Sequence, residues 1–366
     1  MAASGLALFG GAAAAQSSVT MYGIIDATVG RFKGSQTGVN ALDRSVYHLD
    51  GGGMSMSRIG FRGVENLGDG LSASFDLSAF IRNDTGAIGR SDAIGPPVNV
   101  AADPFFSRAA WVGLTSSRLG RVRLGNVSTL LWVQSINSNA FGDSTVLAPL
   151  NLVTFVGGPL TGGTAWTNSV VYDSPELAGF SFGSAVSISE RQGGDNGAAR
   201  ASYGKGPAAL SLAWQSVKRN PITFADGTSP NNTKSWQLAG SYDFSAAKLY
   251  AHFGQIRNNG TEAVPLSLRY NVWELSASVP IGAGSVLAGY ADRKTKDAVG
   301  PVPATATTGN KERRVITAGY DYFLSKRTDL YAMVMNDKTR TNTLPAPPQL
   351  VSARATSVAL GVRHNF

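Results

Sequence analysis

Any chemistry in this chain has to come from a narrow set of side chains. Cysteine is absent and histidine occurs three times, as His48, His252 and His364, which excludes thiolate chemistry, Cys-ligated zinc and a disulfide-stapled fold. His48 falls in a predicted loop, His364 near the end of the chain, and His252 on one face of a predicted strand without a nucleophile beside it. No catalytic set assembles from them. Acid clusters with calcium-like spacing are missing, and the GGGMS run at Gly51 to Ser55 lacks the lysine and helix that follow a phosphate-binding loop. No metal or cofactor is expected. What remains is guanidinium: Arg58, Arg62, Arg82, Arg121, Arg123 and Arg363 fall on the polar side of an alternating pattern, with Asp26 and Asp76 as nearby acids. Arginine keeps its charge in any surroundings, so a wall of arginines beside water makes a fixed positive field that attracts anions. Arg58, Arg62 and Arg82 are the leading candidates for its narrowest point. The other reading is that these arginines pair with Asp26 and Asp76 and only balance charge. Arg108 shares parity with Val112 and Leu114, so its side stays open.

The elements that must position these groups are strands. The closing stretch ATSVALGVRHNF sets Val358, Leu360, Val362, His364 and Phe366 on one face and Ala359, Gly361, Arg363 and Asn365 on the other. The first regular stretch, Ser18 to Phe32, alternates likewise, with Val19, Met21, Gly23, Ile25, Ala27 and Val29 opposite Thr20, Tyr22, Asp26 and Thr28. SRIGFRG and LSASFDLSAFIR form a hairpin about the tight ENLGDG connection, and twelve further stretches of the same period follow between Pro104 and Asp337. The total is roughly sixteen strands. Short connections alternate with long ones rich in Gly, Pro, Asn and Thr, the arrangement of a transmembrane barrel with one tight rim and one looped rim. A strand in lipid cannot keep a free edge, so the last strand is expected to pair with the first.

Composition agrees. Only 15% of residues are charged, 43 are glycine, and mean hydropathy is close to zero. Each lipid-facing residue of a barrel is averaged with a polar lumen-facing one, which gives that value. No apolar run of about 18 residues follows the N-terminus, excluding a helical membrane protein. The net charge of +8 is scattered rather than gathered in a basic helix or patch, so nucleic acid is not an expected partner. Residues 1–15, with Ala13 and Ala15 before Gln16, read as the remnant of a secretory signal, and 16–366 as one barrel domain. The longest interruption, 131–167, has no Lys or Arg and one acid, Asp143, while Phe141, Leu147, Leu150, Leu152 and Phe155 are too apolar for a solvated tip. It is expected to fold inward and constrict the lumen.

QSSVTMYGIIDA, SRIGFRGVENLGDGLSASFDL, FFSRAAWVGLTSSRLGRVRLGN and the closing GVRHNF together resemble general porins of the Gram-negative, beta-proteobacterial type, over Gln16 to Phe366. The resemblance implies a sixteen-stranded antiparallel barrel in the outer membrane, a homotrimer, periplasmic termini and a third extracellular loop folded inward. It also implies that Phe366 is the signal read by the barrel-assembly machinery, and that the partners are outer-membrane lipid, small hydrophilic solutes and inorganic ions. The chain departs from the family pattern at Ser78, where relatives often carry an acid, at Asn126, where they often carry Arg, and in a third loop charged only at Asp143. The expected function is diffusion of small solutes with a weak anion preference. A substrate-specific channel for small anionic or organic-acid solutes is the nearest rival, and a barrel-embedded enzyme the more distant one.

Overall fold

The computed structural model describes residues 18–33, 45–90, 104–155, 163–190, 194–218, 232–260, 265–297, 311–343 and 349–366. The signal-remnant reading of residues 1–15 lies outside them.

Oil and water alternate along the chain, and the strands follow. β1 spans Ser18–Phe32, β2 Val46–Gly51, β3 Arg58–Gly68, β4 Leu71–Phe80, β5 Ala109–Ser116 and β6 Gly120–Ser128. After two short helices come β7 Ala165–Asp173, β8 Phe180–Ser187, β9 Asn196–Lys205, β10 Ala208–Val217, β11 Thr233–Asp243 and β12 Lys248–Gly260. The last five are β13 Pro265–Ile281, β14 Gly284–Asp297, β15 Lys311–Phe323, β16 Thr328–Thr343 and β17 Gln349–Asn365. Every pairing between them is antiparallel. β1 closes on β17 through Ile24–Arg31 against Val358–Asn365, and the Gly23 and Phe366 backbones exchange two hydrogen bonds of 3.1 Å. The sheet of described strands thus closes on itself where the first strand meets the last, as a wall in lipid requires.

Seventeen segments make sixteen staves because β2 and β3 share one. β1 pairs with β2 along Ala27–Phe32 and with β3 along Ser18–Ile24. Between them the chain leaves the wall, and Gly51 to Ser57 are all buried. The sequence reading took this region as a loop. A six-residue strand followed by glycines shows too little alternation to be seen, so His48 belongs to β2, not to a connection. β5 corrects the reading the other way: it begins at Ala109 rather than near Pro104.

Side-chain exposure follows parity. Leu212, Trp214, Trp236 and Leu238 are exposed on the outer face, while Ala213, Gln215, Gln237 and Ala239, facing the other way, are buried. Along β16, Leu330 and Val334 face out, and Tyr331, Met333, Met335 and Asp337 are covered. An exposed apolar band around the whole sheet is what a lipid-facing wall requires.

The long interruption supplies α1, Leu130–Asn137, and α2, Pro149–Thr154. Thr129 caps α1, its hydroxyl accepting the Trp132 N–H at 3.2 Å. Pro149 opens α2, where a missing N–H costs nothing. Phe141, Leu147, Leu150, Leu152 and Val153 pack against Ile256, Val272, Leu287, Ala291, Val315 and Met333, all buried residues on the face opposite the apolar band. Residues 156–162 lie outside the described chain.

Candidate functional site

The arginines fall into three groups that sequence spacing did not separate. The first surrounds Asp143. Arg58, the first residue of β3, donates to Asp143 at 2.6 Å and to the Met56 carbonyl at 3.1 Å. Arg108 donates to Ser78 Oγ at 3.4 Å and interacts electrostatically with Arg58, Asp143 and Asp76. Its parity was ambiguous because it precedes β5, where strand alternation does not yet apply. Arg62, four residues further along β3, is exposed, lies opposite Asp76 and sits 5.1 Å from the centre of the Tyr22 ring. Asp76 accepts the Tyr22 hydroxyl at 2.7 and 2.8 Å. Arg82 lies past the end of β4, and its Nε donates to the Arg90 carbonyl at 2.8 Å. It therefore stands in a turn and not on the strand wall where the spacing had put it.

Asp26 differs from what its position suggested. A carboxylate in mid-strand was expected at a wet wall, yet Asp26 is 0% exposed. The buried run Gly52–Ser57 covers it: its carboxylate accepts the Met54 and Ser55 N–H groups at 2.8 and 2.7 Å and the Tyr331 hydroxyl at 2.5 Å. Thr28 also bonds Tyr331. The acid is not open to the lumen; it fastens the excursion between β2 and β3 to the wall, a fully satisfied carboxylate in a dry place. Ser144 continues the link into the long interruption by donating to the Gly53 carbonyl at 2.7 Å.

The second group stands near the short turns. Arg121 and Arg123 on β6 share Asp173 of β7 at 3.1 and 2.8 Å. Both guanidinium groups lie within 6 Å of the Trp111 ring, at 5.9 and 5.5 Å. The third group lies on the far wall, with Arg313 and Arg293 buried and Arg363 partly so. Arg313 donates to both Asp337 oxygens at 3.3 and 2.9 Å and to the Leu152 carbonyl at 2.6 Å. Arg293 donates to the Val153 carbonyl at 3.1 Å. Two cations thus hold the last carbonyls of α2, the end where helix geometry leaves acceptors free. Arg363 spans Asp329 at 3.1 Å, Asp321 at 3.2 Å and Ser55 at 3.0 Å.

Arg313, Arg293, Asp337 and Asp173 escaped the sequence reading, although the parity of β14 to β16 puts the first three on one face with Val315 and Met335. Phe366 stands at the seam, paired to Gly23. His252 is buried with its Nε2 2.9 Å from the Ser138 carbonyl, and His364 meets the Thr328 hydroxyl at 2.9 Å.

Comparison with known proteins agrees with this architecture. An outer membrane porin protein of Bordetella pertussis is 28% identical, with 100% of this chain and 99% of that protein aligned. Outer membrane porin protein 32 of Delftia acidovorans is 30% identical over 97% of this chain and 96% of the relative. Among solved structures, an anion-selective porin from Comamonas acidovorans superposes with a TM-score of 0.75 at 26% identity, covering 96% of this chain and 100% of that one. A family model described as Gram-negative porin matches residues 2–342. A closed sixteen-stave barrel with an apolar outer band and a charged inner wall, matched over nearly its whole length, belongs to the Gram-negative porin family, channel-forming barrels of the outer membrane.

Proposed function

We propose that this porin passes small hydrophilic solutes and inorganic ions with a weak preference for anions, and that 131–167 narrows its lumen. The observation that carries the preference is the charge around Asp143. Arg58 and Arg108 both face that single acid, and Arg62 stands exposed one level below, so positive charge exceeds negative where α1 and α2 crowd the passage. Arg121 and Arg123 extend the basic wall toward the short turns. The contacts of 130–155 with β10 to β16 support the constriction, since a solvated loop would not bury five large apolar side chains. The anion selectivity of the Comamonas protein, at 26% identity, points the same way.

The wider reading follows the family. Residues 1–15 serve as a secretory signal and 16–366 as one barrel domain with both termini in the periplasm. The barrel packs as a homotrimer within outer-membrane lipid, and Phe366 presents its terminus to the assembly machinery. The barrel is read as a channel and not a catalyst: His252 is buried against the Ser138 carbonyl, and the exposed His364–Thr328 pair has no acid orienting the ring among the described residues. The test is the reversal potential of single channels in a KCl gradient. Anion preference that falls in Arg58→Gln is expected; cation preference in the native channel refutes the proposal. Lipid hydrolysis by the refolded protein would overturn the non-enzymatic reading.

A further inference from the structure

The group near the short turns has an unused member. Arg200 on β9 interacts electrostatically with both Asp173 and Arg123, so it completes a trio with Arg121 and Arg123. Register places this trio well away from Asp143. Arg58 lies opposite Phe80, and Arg123 opposite Gly113, which faces Ser74. From Phe80 to Ser74 the stave drops by roughly 20 Å at about 3.3 Å per residue.

Arg121 and Arg123 have Asp173. Arg200, half-buried, makes no hydrogen bond or ion pair among the described residues, and the buried Nε of Arg123 also lacks a partner. A guanidinium has five N–H donors in a fixed fork, so one held in a wall without an acceptor is prepared for a planar oxyanion.

Arg200 opens into a cavity of about 300 Å³ under α1, lined also by Gln134, Asn137, Ser181, Ser202 and Ser211. This is the lower end of ligand-sized pockets, roughly 300–1,000 Å³. Its polar groups are ordered beforehand. Ser202 and Ser211 hydroxyls meet at 2.9 Å, Ser211 donates to Gln134 Oε1 at 2.8 Å, and Gln134 donates to the Gln237 carbonyl at 2.9 Å. Glu176 stands on the cavity wall. With Asp173 it offsets two of the three arginines, leaving one positive charge. A ligand with one carboxylate matches that remainder, whereas a dianion would bring its second charge against Glu176 and Asp173. The hydroxyl and amide lining suits a ligand that carries hydroxyls.

We propose that this cavity is a binding site for a small hydroxylated monocarboxylate, its carboxylate held by Arg200 and its hydroxyls by Ser202, Ser211 and Gln134. The site rests on the proposed open passage but not on its ion preference. It would hold the solute briefly on the short-turn side of the constriction.

The test uses the full-length channel in planar bilayers, with gluconate as probe and sorbitol as its uncharged counterpart, added from the short-turn side in KCl. Saturable current block by gluconate and none by sorbitol is expected. Arg200→Gln should weaken the block about tenfold or more, the loss of a charge-assisted bidentate pair. Ser211→Ala, which removes only a hydroxyl, should weaken it several-fold and guards against a misfolded Arg200 variant. Block that does not saturate, that sorbitol reproduces, or that both variants retain overturns the site. Reversal potentials from the same channels report ion preference separately, so a cation-preferring channel with intact gluconate block would refute the proposed selectivity and leave this site standing.

Discussion

Two walls of the same barrel use arginine in opposite ways. On the early wall, Arg58, Arg62 and Arg108 stand half-buried or exposed, with one or two acids among them. On the late wall, Arg313 and Asp337 are each 1% exposed and Arg363 spans two aspartates. The residue type is the same; the packing differs. The late wall is covered by α2 and its apolar neighbours, and a charge that loses water there must be paired and hydrogen-bonded. The early wall is less covered: Arg58 keeps Asp143 as its partner, and Arg62 stands exposed opposite Asp76. One wall fastens, and on the proposed function the other sets a field.

The largest effect should come from breaking the fastening. Arg313→Met removes the partner of a buried Asp337 and frees the Leu152 carbonyl, and breaking a buried pair costs about 3–5 kcal/mol. Thermal unfolding in detergent, read by loss of the heat-modifiable band, should fall sharply. Arg313→Met with Asp337→Asn should recover much of it, because no lone charge is then buried. A single variant as stable as the parent would erase the distinction between the walls.

Asp26→Asn tests whether an acid on β1 belongs with the fasteners. The amide keeps the shape but loses the charge that draws two N–H groups and the Tyr331 hydroxyl, a loss of about 2 kcal/mol. Faster proteolysis near Gly52–Ser57 with unchanged ion preference is the expected pair of results. A large shift in reversal potential instead would return Asp26 to the passage.

The sequence made the outer face legible because lipid imposes its demand at every second residue of every stave. Ser18–Phe32 was read to its ends for that reason. Legibility fades where the demand does. β16 runs on through Lys338, Thr339 and Arg340 to Thr343, a stretch with no apolar residue to alternate, and β17 begins at Gln349 rather than Ala355. The inner wall was half legible. Parity assigned Arg58, Arg121, Arg123 and Arg363 to the inner face, but could not show that Arg313 and Arg293 would meet α2, because that depends on where residues 149–154 come to rest. Asp26 shows the same limit: its face was read correctly, its cover was not.

Arg58→Gln moves to the field. The pair with Asp143 is less covered than Arg313 and Asp337, with side chains 12% and 21% exposed against 1% each, so its loss should cost less than the roughly 3–5 kcal/mol of that buried pair, while the KCl reversal potential moves toward the cation side. A stability loss matching Arg313→Met would mean that Arg58 fastens 131–167 and the early wall has no separate role.

The smallest change belongs to Arg62→Gln. Exposed on β3, Arg62 touches the Tyr22 ring and faces Asp76, and exposed contacts of this kind shift stability by about 0.5 kcal/mol at most. On the proposed function its charge lies along the solute's route, so the reversal potential should move in the same direction as in Arg58→Gln but by less. The shift should shrink between 0.1 and 1 M KCl, because the screening length falls from about 10 Å to 3 Å and a wall charge then reaches less of the passage. A shift that persists at 1 M would place Arg62 within direct contact of the permeating ion and make it part of the constriction, level with Arg58.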